Sequence, residues 1–352
     1  MSKGLVEIDG SVLEGGGQIL RIALTISAIK KIPIRVVKIR AGRNKPGLME
    51  QHLKGLELMR DMCNGRLTGG HMGSTEIQFW PNELKGGTYT AKIKTAGSIT
   101  LLLQVAVPAA LFADSATVLN ITGGTNTEMA PQIDFYTEVF RPNLEKFGAT
   151  FDFELRKRGY FPKGNGEVSV TVDPVAHLNP VILTERGSIT DIYGWSYTAG
   201  TVPIRLAYLL AENAEKLLKE YGHVAIQKYK EDPKVAPDNS SGLVLVAETT
   251  THCVLGGSGM FRKNAKVEEI GEEAANKLIH TITEGACVDE YTQDQIVILM
   301  ALAKGESKVR IGAVTMHTKT AIFVIELLLP QVKFEIIPDG KTNILKCNGC
   351  GN

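Results

Sequence analysis

Apolar positions recur along the chain with two spacings, which predict alternating strands and helices. Short runs rich in β-branched and aromatic residues predict strands: "VEIDG" (6–10), "PIRVVKI" (33–39) and "TEIQFW" (75–80). Residues 17–29 and 47–63 lie between these strands and show helical periodicity. One apolar face of the second helix carries Leu48, His52, Leu56 and Met59, with charged residues opposite, and His52 is expected to be buried in packing there. The order predicts a small α/β layer that ends in a pair of strands.

The same order returns twice. The second copy is predicted to have strands at 88–94, 116–124, 149–155 and 167–173 and helices at 96–113 and 131–148. A third copy opens at "PVILTERG" (180–187) and continues only at "DEYTQDQIVILMALAKG" (289–305). We therefore expect an α/β fold of three repeated βαβαββ-type units, with residues 1–187 and 286–352 forming a large domain. Residues 188–285 are expected to form a smaller inserted α/β domain.

Composition restricts the class of protein. With 352 residues, of which 43% are hydrophobic and 22% charged, the chain is long enough for two or three cores. No run of ~18 uncharged apolar residues predicts a membrane span. The first residues lack a basic, apolar leader, so we expect an intracellular protein. Five cysteines argue against a disulfide framework, and the terminal "CNGC" (347–350) cannot complete a zinc site and is predicted to fray.

Positive charge is concentrated although the net charge is only +1. Residues 22–49 contain no Asp or Glu but seven cations: Lys30, Lys31, Arg35, Lys38, Arg40, Arg43 and Lys45. A second cluster lies within 156–163. Basic runs are commonly solvated faces. Both of these adjoin glycine-rich turns, however, and that position favours contact with phosphate.

Glycines mark two further sites. In "LEGGGQILRIALTISAI" (13–29), three glycines separate Glu14 from Arg21 at the start of a predicted helix. Such glycines expose backbone N–H groups, and they fit either a phosphate cradle or a plain tight turn. The second cluster, "GGSG" (256–259), is predicted to form a turn between strands.

Two segments contain candidate catalytic side chains. His317 lies at a strand-to-helix junction, where an imidazole can face a bound phosphate or act as a nucleophile. A purely structural histidine fits the same position. Asp294 and Gln295 open another apolar helix, with Tyr291 three residues before. Asp294 is explained either as an N-cap or as the partner of an imidazole or ribose hydroxyl, with Tyr291 stacking on a base. The spacing does not separate these alternatives.

Several motifs together resemble the RNA 3′-terminal phosphate cyclases, in their catalytic, eukaryotic-style branch. They follow the family order: "EGGGQILR" (14–21), "RAGRNKPGLMEQHL" (40–53), "AGSITLLLQ" (96–104), "GGTNTEMAPQIDF" (123–135), "RGYFPKGNGEV" (158–168), "DEYTQDQ" (289–295) and "HTKTAIFVIELLLP" (317–330). The match departs from the family at "KGNGEV", where Asn165 replaces a glycine. Asparagine tolerates φ > 0 better than most residues.

The resemblance implies an ATP-dependent enzyme acting on RNA with a 3′-phosphate end. A histidine, here His317, takes AMP from ATP and passes it to the RNA phosphate, and the vicinal 2′-hydroxyl then displaces AMP to close a 2′,3′-cyclic phosphate. Mg²⁺ or Mn²⁺ is the implied cation. The resemblance also suggests the nucleus, with the cytoplasm as the alternative, and it leaves the oligomeric state open.

The resemblance further assigns roles to individual positions. Glu14 is implied as the carboxylate beside the metal ion. The positions implied for phosphate or the RNA end are Arg21, Arg40, Arg43 and Gln51. Those implied for ATP or AMP are Gln104, Pro131, Phe135, Tyr291, Asp294 and Gln295.

Two other readings use the same architecture. A non-catalytic ribosome-assembly factor would lack the nucleophile, and an enolpyruvyl-type transferase would need no nucleotidyl histidine. The joint presence of Glu14, Arg21, Asp294 and His317 favours the catalytic reading over both.

Overall fold

A computed structural model describes residues 4–262 and 265–351, which form four four-stranded mixed sheets covered by helices. The first unit contains, in chain order, β1 (Val6–Asp9), α1 (Gly17–Lys30), β2 (Ile34–Val37), α2 (Glu50–Met62), β3 (Arg66–Thr68) and β4 (Ile77–Trp80). Its strand order is β1-β2-β4-β3, with β1 parallel to β2 and the other pairs antiparallel.

The second unit repeats this topology with the order β5-β6-β8-β7. Its strands and first helix are β5 (Gly87–Lys92), α3 (Ile99–Ala110), β6 (Thr117–Gly123), β7 (Asp152–Lys157) and β8 (Gly166–Val172). Between β6 and β7 the second helix has three parts: α4 (Ile133–Phe135), a π-helical turn (Tyr136–Phe140) and α5 (Arg141–Glu145). Helix α3 is mostly apolar because neighbouring elements bury most of its residues.

After the short β9 (Ile182–Leu183) the chain leaves the repeat. It forms β10 (Ile189–Ala199), α6 (Arg205–Leu218), β11 (Val224–Lys230), β12 (Ser240–Thr249), β13 (Val254–Met260) and α7 (Val267–Glu284). These strands make a separate sheet, β11-β10-β12-β13, and its helix-facing side contributes to an apolar core of its own. The boundaries of the inserted domain stay a prediction, and residues 1–3, 263, 264 and 352 within the proposed ranges lie outside the described residues.

The third unit resumes with α8 (Glu290–Leu302), β14 (Lys304–Ile311), α9 (Met316–Leu328), β15 (Phe334–Asp339) and β16 (Thr342–Cys350). Its sheet order, β9-β14-β16-β15, has the same parallel and antiparallel pairs as the first two. The prediction of an α/β fold built from repeated units is confirmed. Three helices from two of the units, α1, α8 and α9, pack together, which places the starts of α1 and α9 near each other.

Two local predictions are wrong, and two strands were missed. The "CNGC" segment does not fray, because Cys347 and Cys350 lie in β16, paired with β14. The "GGSG" residues form no turn and lie inside β13. Strands β3 and β11 were missed, since both are edge strands with exposed positions. Within the described ranges, no helix combines the length and hydropathy needed to cross a membrane.

Candidate active site

The three glycines before α1 make room for functional side chains. Gly15 has a φ of +59°, a conformation that glycine adopts without strain. A Cβ at Gly16 would lie 2.2 Å from Oε1 of Glu14, and one at Gly17 would lie 2.5 Å from Nε2 of His52. The segment is therefore a tight turn that holds the Glu14 carboxylate and leaves room for the imidazole of His52, from α2, at the N-terminus of α1.

Glu14 has one paired and one unpaired carboxylate oxygen. Its side chain is 12% exposed, and Oε1 pairs with the guanidinium of Arg43. Oε2 is buried and has no hydrogen-bond partner. Arg40 supports this region, because its guanidinium donates to the carbonyl oxygens of Lys45 (2.7 Å) and Gly47 (2.8 Å).

The unpaired oxygen of Glu14 fits a cation. Among the residues that the structure describes, no group of three or more His, Cys, Asp or Glu side chains could hold a metal ion by itself. Mg²⁺, however, is commonly held by one or two protein carboxylates together with water and substrate phosphates. The donor set at Glu14 matches such a shared site, in which the phosphates supply the remaining oxygens.

Arg21 and His52 lie side by side behind the turn and, with Gln51, line a small cavity. The Nδ1 atom of His52 accepts the N–H of Met49 (3.1 Å), so Nε2 carries the proton. Burial, with the nearby charges of Arg21 and Arg40, lowers the pKa of His52 to about 3. His52 is therefore a neutral N–H donor beside a cation, a role that its place on the apolar helix face had concealed.

Gln51 has a positioning contact. Its Oε1 accepts the backbone N–H of Ser98 (3.2 Å), which joins the start of α2 to the loop before α3. Gly97 lies close to the same side chain, 3.2 Å from Cβ of Gln51 when a Cβ is built on the glycine. The motifs at 40–53 and 96–104 therefore meet at one point.

His317 lies in the first turn of α9, which Thr315 caps by accepting the N–H of Thr318 (3.1 Å). The imidazole is exposed, and its Nδ1 lies 2.8 Å from Oε1 of Gln18. Gln18 is 3% exposed, and its Nε2 donates to Oδ2 of Asp294 (2.5 Å). A chain of hydrogen bonds therefore runs from α8 through α1 to the imidazole on α9.

Asp294 is not an N-cap. Asp289 caps α8, its Oδ1 accepting the N–H groups of Tyr291 (3.0 Å) and Thr292 (2.9 Å). Asp294 lies in the second turn and faces Gln18 instead. Burial raises the pKa of Asp294 to about 7, although the positive charge of Arg21 acts in the opposite direction.

Three of the positions assigned to the nucleotide come together beside this chain. Phe135 is fully buried, and its ring meets the ring of Tyr291 edge-on at a centroid distance of 6.0 Å. Gln295 donates to the carbonyl oxygen of Tyr291 (2.7 Å), and its own Oε1 is buried without a partner. Pro131 joins the region to α3 through the hydroxyl of Thr100 (2.9 Å), and Gln104 is half-buried on the same helix.

The basic cluster at 156–163 has other contacts. Arg158 is buried, with its side chain 6% exposed, and pairs with Asp134 and Glu231. Lys163 pairs with Asp238 at 2.7 Å. The expectation that this cluster contacts phosphate is therefore wrong for Arg158, whose charge is already neutralised inside the protein.

Comparison with known proteins gives consistent matches. The sequence model of the family "RNA 3′-terminal phosphate cyclase" matches residues 12–336. An RNA 3′-terminal phosphate cyclase of Drosophila melanogaster is 39% identical, over 99% of this chain and 97% of its own. One from Ignicoccus hospitalis is 39% identical, over 94% and 95%. A probable RNA 3′-terminal phosphate cyclase of Dictyostelium discoideum is 34% identical, over 97% and 82%.

A solved EPSP synthase of Acinetobacter baumannii aligns with 99% of this chain and 66% of its own, with a TM-score of 0.34 and 13% identity. Nothing about this protein rests on so low a similarity. The family match and the full-length relatives are sufficient by themselves. This chain belongs to the RNA 3′-terminal phosphate cyclase family.

Proposed function

We propose that this protein uses ATP to convert an RNA 3′-terminal phosphate into a 2′,3′-cyclic phosphodiester, with His317 as the residue that accepts AMP. One observation carries the proposal. The exposed imidazole of His317 is hydrogen-bonded to Gln18, and Gln18 belongs to the glycine motif that also contains Glu14 and Arg21. The family membership supports the overall reaction.

The hydrogen-bond chain favours Nε2 as the attacking atom. When Asp294 is ionised its carboxylate only accepts hydrogen bonds, so in that state the amide NH₂ of Gln18 faces it and Oε1 faces His317. Nδ1 therefore carries the proton, and the lone pair lies on Nε2. In the first step Nε2 attacks the α-phosphorus of ATP, a P–N bond forms, and the bond to pyrophosphate breaks. The positive charge that develops on the ring is stabilised through Gln18 and Asp294.

Cationic and neutral donors then stabilise the phosphates. Arg21, Arg43 and the N–H of His52 surround the turn at which we place the triphosphate and later the RNA end. Glu14 would hold Mg²⁺ through its unpaired oxygen, and Arg40 and Gln51 hold the surrounding loops. When bound, the cation screens the negative charge of the phosphates.

The aromatic pair of Phe135 and Tyr291 forms one side of the proposed adenylate pocket. The face of Tyr291 offers stacking to a base, and the unpaired Oε1 of Gln295 offers an acceptor for an N–H group. Pro131 and Gln104 are proposed for the opposite side of this pocket. Asp294 serves the pocket through the imidazole chain rather than by capping its helix.

The remaining steps transfer AMP to the RNA and then release it. A 3′-phosphate oxygen of RNA attacks the phosphorus of AMP–His317, which restores the imidazole and yields an RNA–pp–A anhydride. The vicinal 2′-hydroxyl then attacks the 3′-phosphorus, loses its proton and expels AMP. A phosphate monoester dianion is a poor electrophile, so the anhydride supplies a leaving group, and the neighbouring hydroxyl has a large proximity advantage. By resemblance we place this activity in the nucleus, with the cytoplasm as the alternative.

The test is covalent labelling with ATP carrying ³²P at the α-position, in the presence of Mg²⁺. The wild type should form an adduct that is labile in acid and stable in base, as a phosphoramidate is, and His317→Ala should form none. His71→Ala, an exposed histidine in another loop, is the matched control and should label as the wild type does. Equal labelling of His317→Ala would overturn the assignment of the nucleophile. A wild type that never labels, with RNA ends unchanged, would overturn the proposed function.

A further inference from the structure

We infer that the inserted unit, formed by β10–β13, α6 and α7, positions one side of the adenylate pocket through the outer edge of β13. This side, the aromatic wall, consists of Phe135 and Tyr291. The inference rests on the proposed function, because it concerns the pocket that we assign to the nucleotide. Strand β13 is at the edge of its sheet, with β12 on one side only. Such an edge leaves backbone N–H and C=O groups for another partner.

Buried side chains from the large domain bind this free edge. Asn143 donates to the carbonyl of Val254 on this edge (3.0 Å). Gln132 donates to the carbonyls of Gly259 (3.1 Å) and Leu243 (3.3 Å), where β13 pairs with β12. Between them, Oδ2 of Asp289 accepts the N–H of Gly256 (3.1 Å). Asn143, Gln132 and Asp289 are each at most 3% exposed. Buried, satisfied hydrogen bonds of this kind fix one orientation of the two parts, since a shifted edge would leave them unpaired.

Gly256 contacts Phe135 directly and binds the helix that carries Tyr291. A Cβ built on Gly256 would lie 2.3 Å from the ring of Phe135 and 2.8 Å from Val139, so only glycine allows the ring to rest on the strand. Its N–H binds Asp289, the N-cap of the helix that carries Tyr291. One residue of the inserted unit therefore touches Phe135 and holds the helix of Tyr291.

The helix side of the inserted unit reaches the same wall. The Nζ atom of Lys277 on α7 lies 5.4 Å from the centroid of the Tyr291 ring, and it also donates to the carbonyl of Ser258 (3.2 Å). This cation–π contact favours one placement of the ring. The aromatic wall is thus contacted by β13 at Phe135 and by α7 at Tyr291.

Strand β12 offers a matched pair of substitutions. Val246 belongs to the apolar cluster around Phe135, whereas its neighbour Leu245 belongs to the core between the sheet and the helices of the inserted unit. Successive strand residues point to opposite faces, so the two changes remove packing on opposite sides of one sheet. Both residues are fully buried.

The experiment measures covalent adenylylation by the full-length protein as a function of ATP concentration, with thermal unfolding measured alongside. Gly256→Ala and Val246→Ala should raise the ATP concentration needed for half-maximal labelling roughly tenfold or more, since small displacements of positioning groups have large effects. The maximal rate should fall much less. Leu245→Ala should lower the melting temperature and leave the ATP dependence unchanged.

The outcomes separate the two proposals. Unchanged ATP dependence in both test variants, or an equal change in Leu245→Ala, would overturn the inference while wild-type labelling upholds the proposed function. If Gly256→Ala does not fold, the comparison of Val246→Ala with Leu245→Ala decides in the same way. If the wild type does not label at all, the proposed function itself fails.

Discussion

Gln18 shows how a single amide can specify an imidazole. Its two polar atoms face different partners, a carboxylate at 2.5 Å and a ring nitrogen at 2.8 Å. When the carboxyl is ionised it can only accept, so the amide then has one favourable orientation, and that orientation determines which nitrogen of His317 carries the proton. The residue is nearly inaccessible to solvent, so water does not compete for either contact.

Gln18→Met tests this orientation, since methionine keeps the length and removes both hydrogen bonds. We expect the rate of labelling to fall about 10²- to 10³-fold, because the neutral ring would populate the wrong tautomer, an effect known to be large in hydrolases. Single-turnover labelling with radioactive ATP measures the rate. Ser27→Ala, a substitution further along the same helix, is the control and should retain the wild-type rate. A Gln18→Met variant that labels at the wild-type rate would refute the role of the amide.

Asp294 predicts a dependence of stability on pH. Its pKa is about 7 in the folded protein, against 3.8 ordinarily, so between these values the folded state holds a proton that the unfolded state has lost. The free energy of unfolding contributed by this group therefore falls as the pH rises from about 4 to about 7.

Asp294→Asn should remove that slope. We expect urea unfolding at pH ~5 and pH ~8 to show a smaller loss of stability in the variant than in the wild type. Asp289, whose pKa burial raises to about 6, contributes with the same sign and remains in both proteins. The exposed Asp173→Asn serves as the control and should behave as the wild type does. An identical slope in Asp294→Asn and the wild type would contradict the prediction.

At the scale of elements, the entry to α1 combines a tight turn with a carboxylate placed against its backbone. Helix α1 has no side-chain N-cap, and its flanking residue, Gly16, is extended. The free N–H groups at this end and the helix dipole favour an anion there. The absence of a capping side chain is thus consistent with a site that binds phosphate.

Gly16→Ala tests this element. The added methyl group would collide with the carboxylate of Glu14 and push it from Arg43, so we expect labelling to fall at least tenfold at fixed Mg²⁺. Gly42→Ala is the matched control, because a Cβ there meets nothing within 4 Å. The Mg²⁺ concentration that gives half-maximal labelling should be higher in Gly16→Ala than in the control. Indistinguishable titrations would argue against Glu14 as the cation ligand.

At the scale of the whole molecule, Arg158 links the second repeat to the inserted unit. Its guanidinium pairs with Asp134, the neighbour of Phe135 in the chain. It also pairs with Glu231, just after β11, with 2.9 Å between Nε of Arg158 and Oε1 of Glu231. The rings of Tyr160 and Tyr197 stack on each other beside this group, with their centroids 6.2 Å apart. Two carboxylates therefore depend on one buried cation at the junction.

Removing that cation should be costly. Arg158→Met leaves both carboxylates inside the protein, and we expect a loss of about 3–5 kcal/mol in the free energy of unfolding. The control is Arg156→Met, two residues away, where the ion pair with Glu154 is about half exposed and contributes about 0–1 kcal/mol. Urea unfolding of the two variants compares them directly. Equal stabilities would show that the buried pair does not hold the junction.

Much of the fold followed from local patterns. Helices at 17–29 and 131–148 and strands at 116–124 and 167–173 were predicted near their observed positions, since a core imposes periods of 3.6 and 2 on the sequence. The glycines at 256–259 misled because a glycine cluster is usual in turns, whereas here it lets a buried ring approach a strand. His52 and Gln18 were missed because their roles depend on partners from distant parts of the chain.

The sequence by itself determined the repeats, the helix that bears His317 and the family motifs, because periodicity, glycine turns and residue identity are local properties. Only the tertiary structure decided that Asp289 caps α8, which leaves Asp294 to bind Gln18, and that Arg158 lies in a buried ion pair. Those contacts join residues separated by as many as 276 positions along the chain. Their free energy comes from burial and mutual orientation, which exist only once the units have packed together.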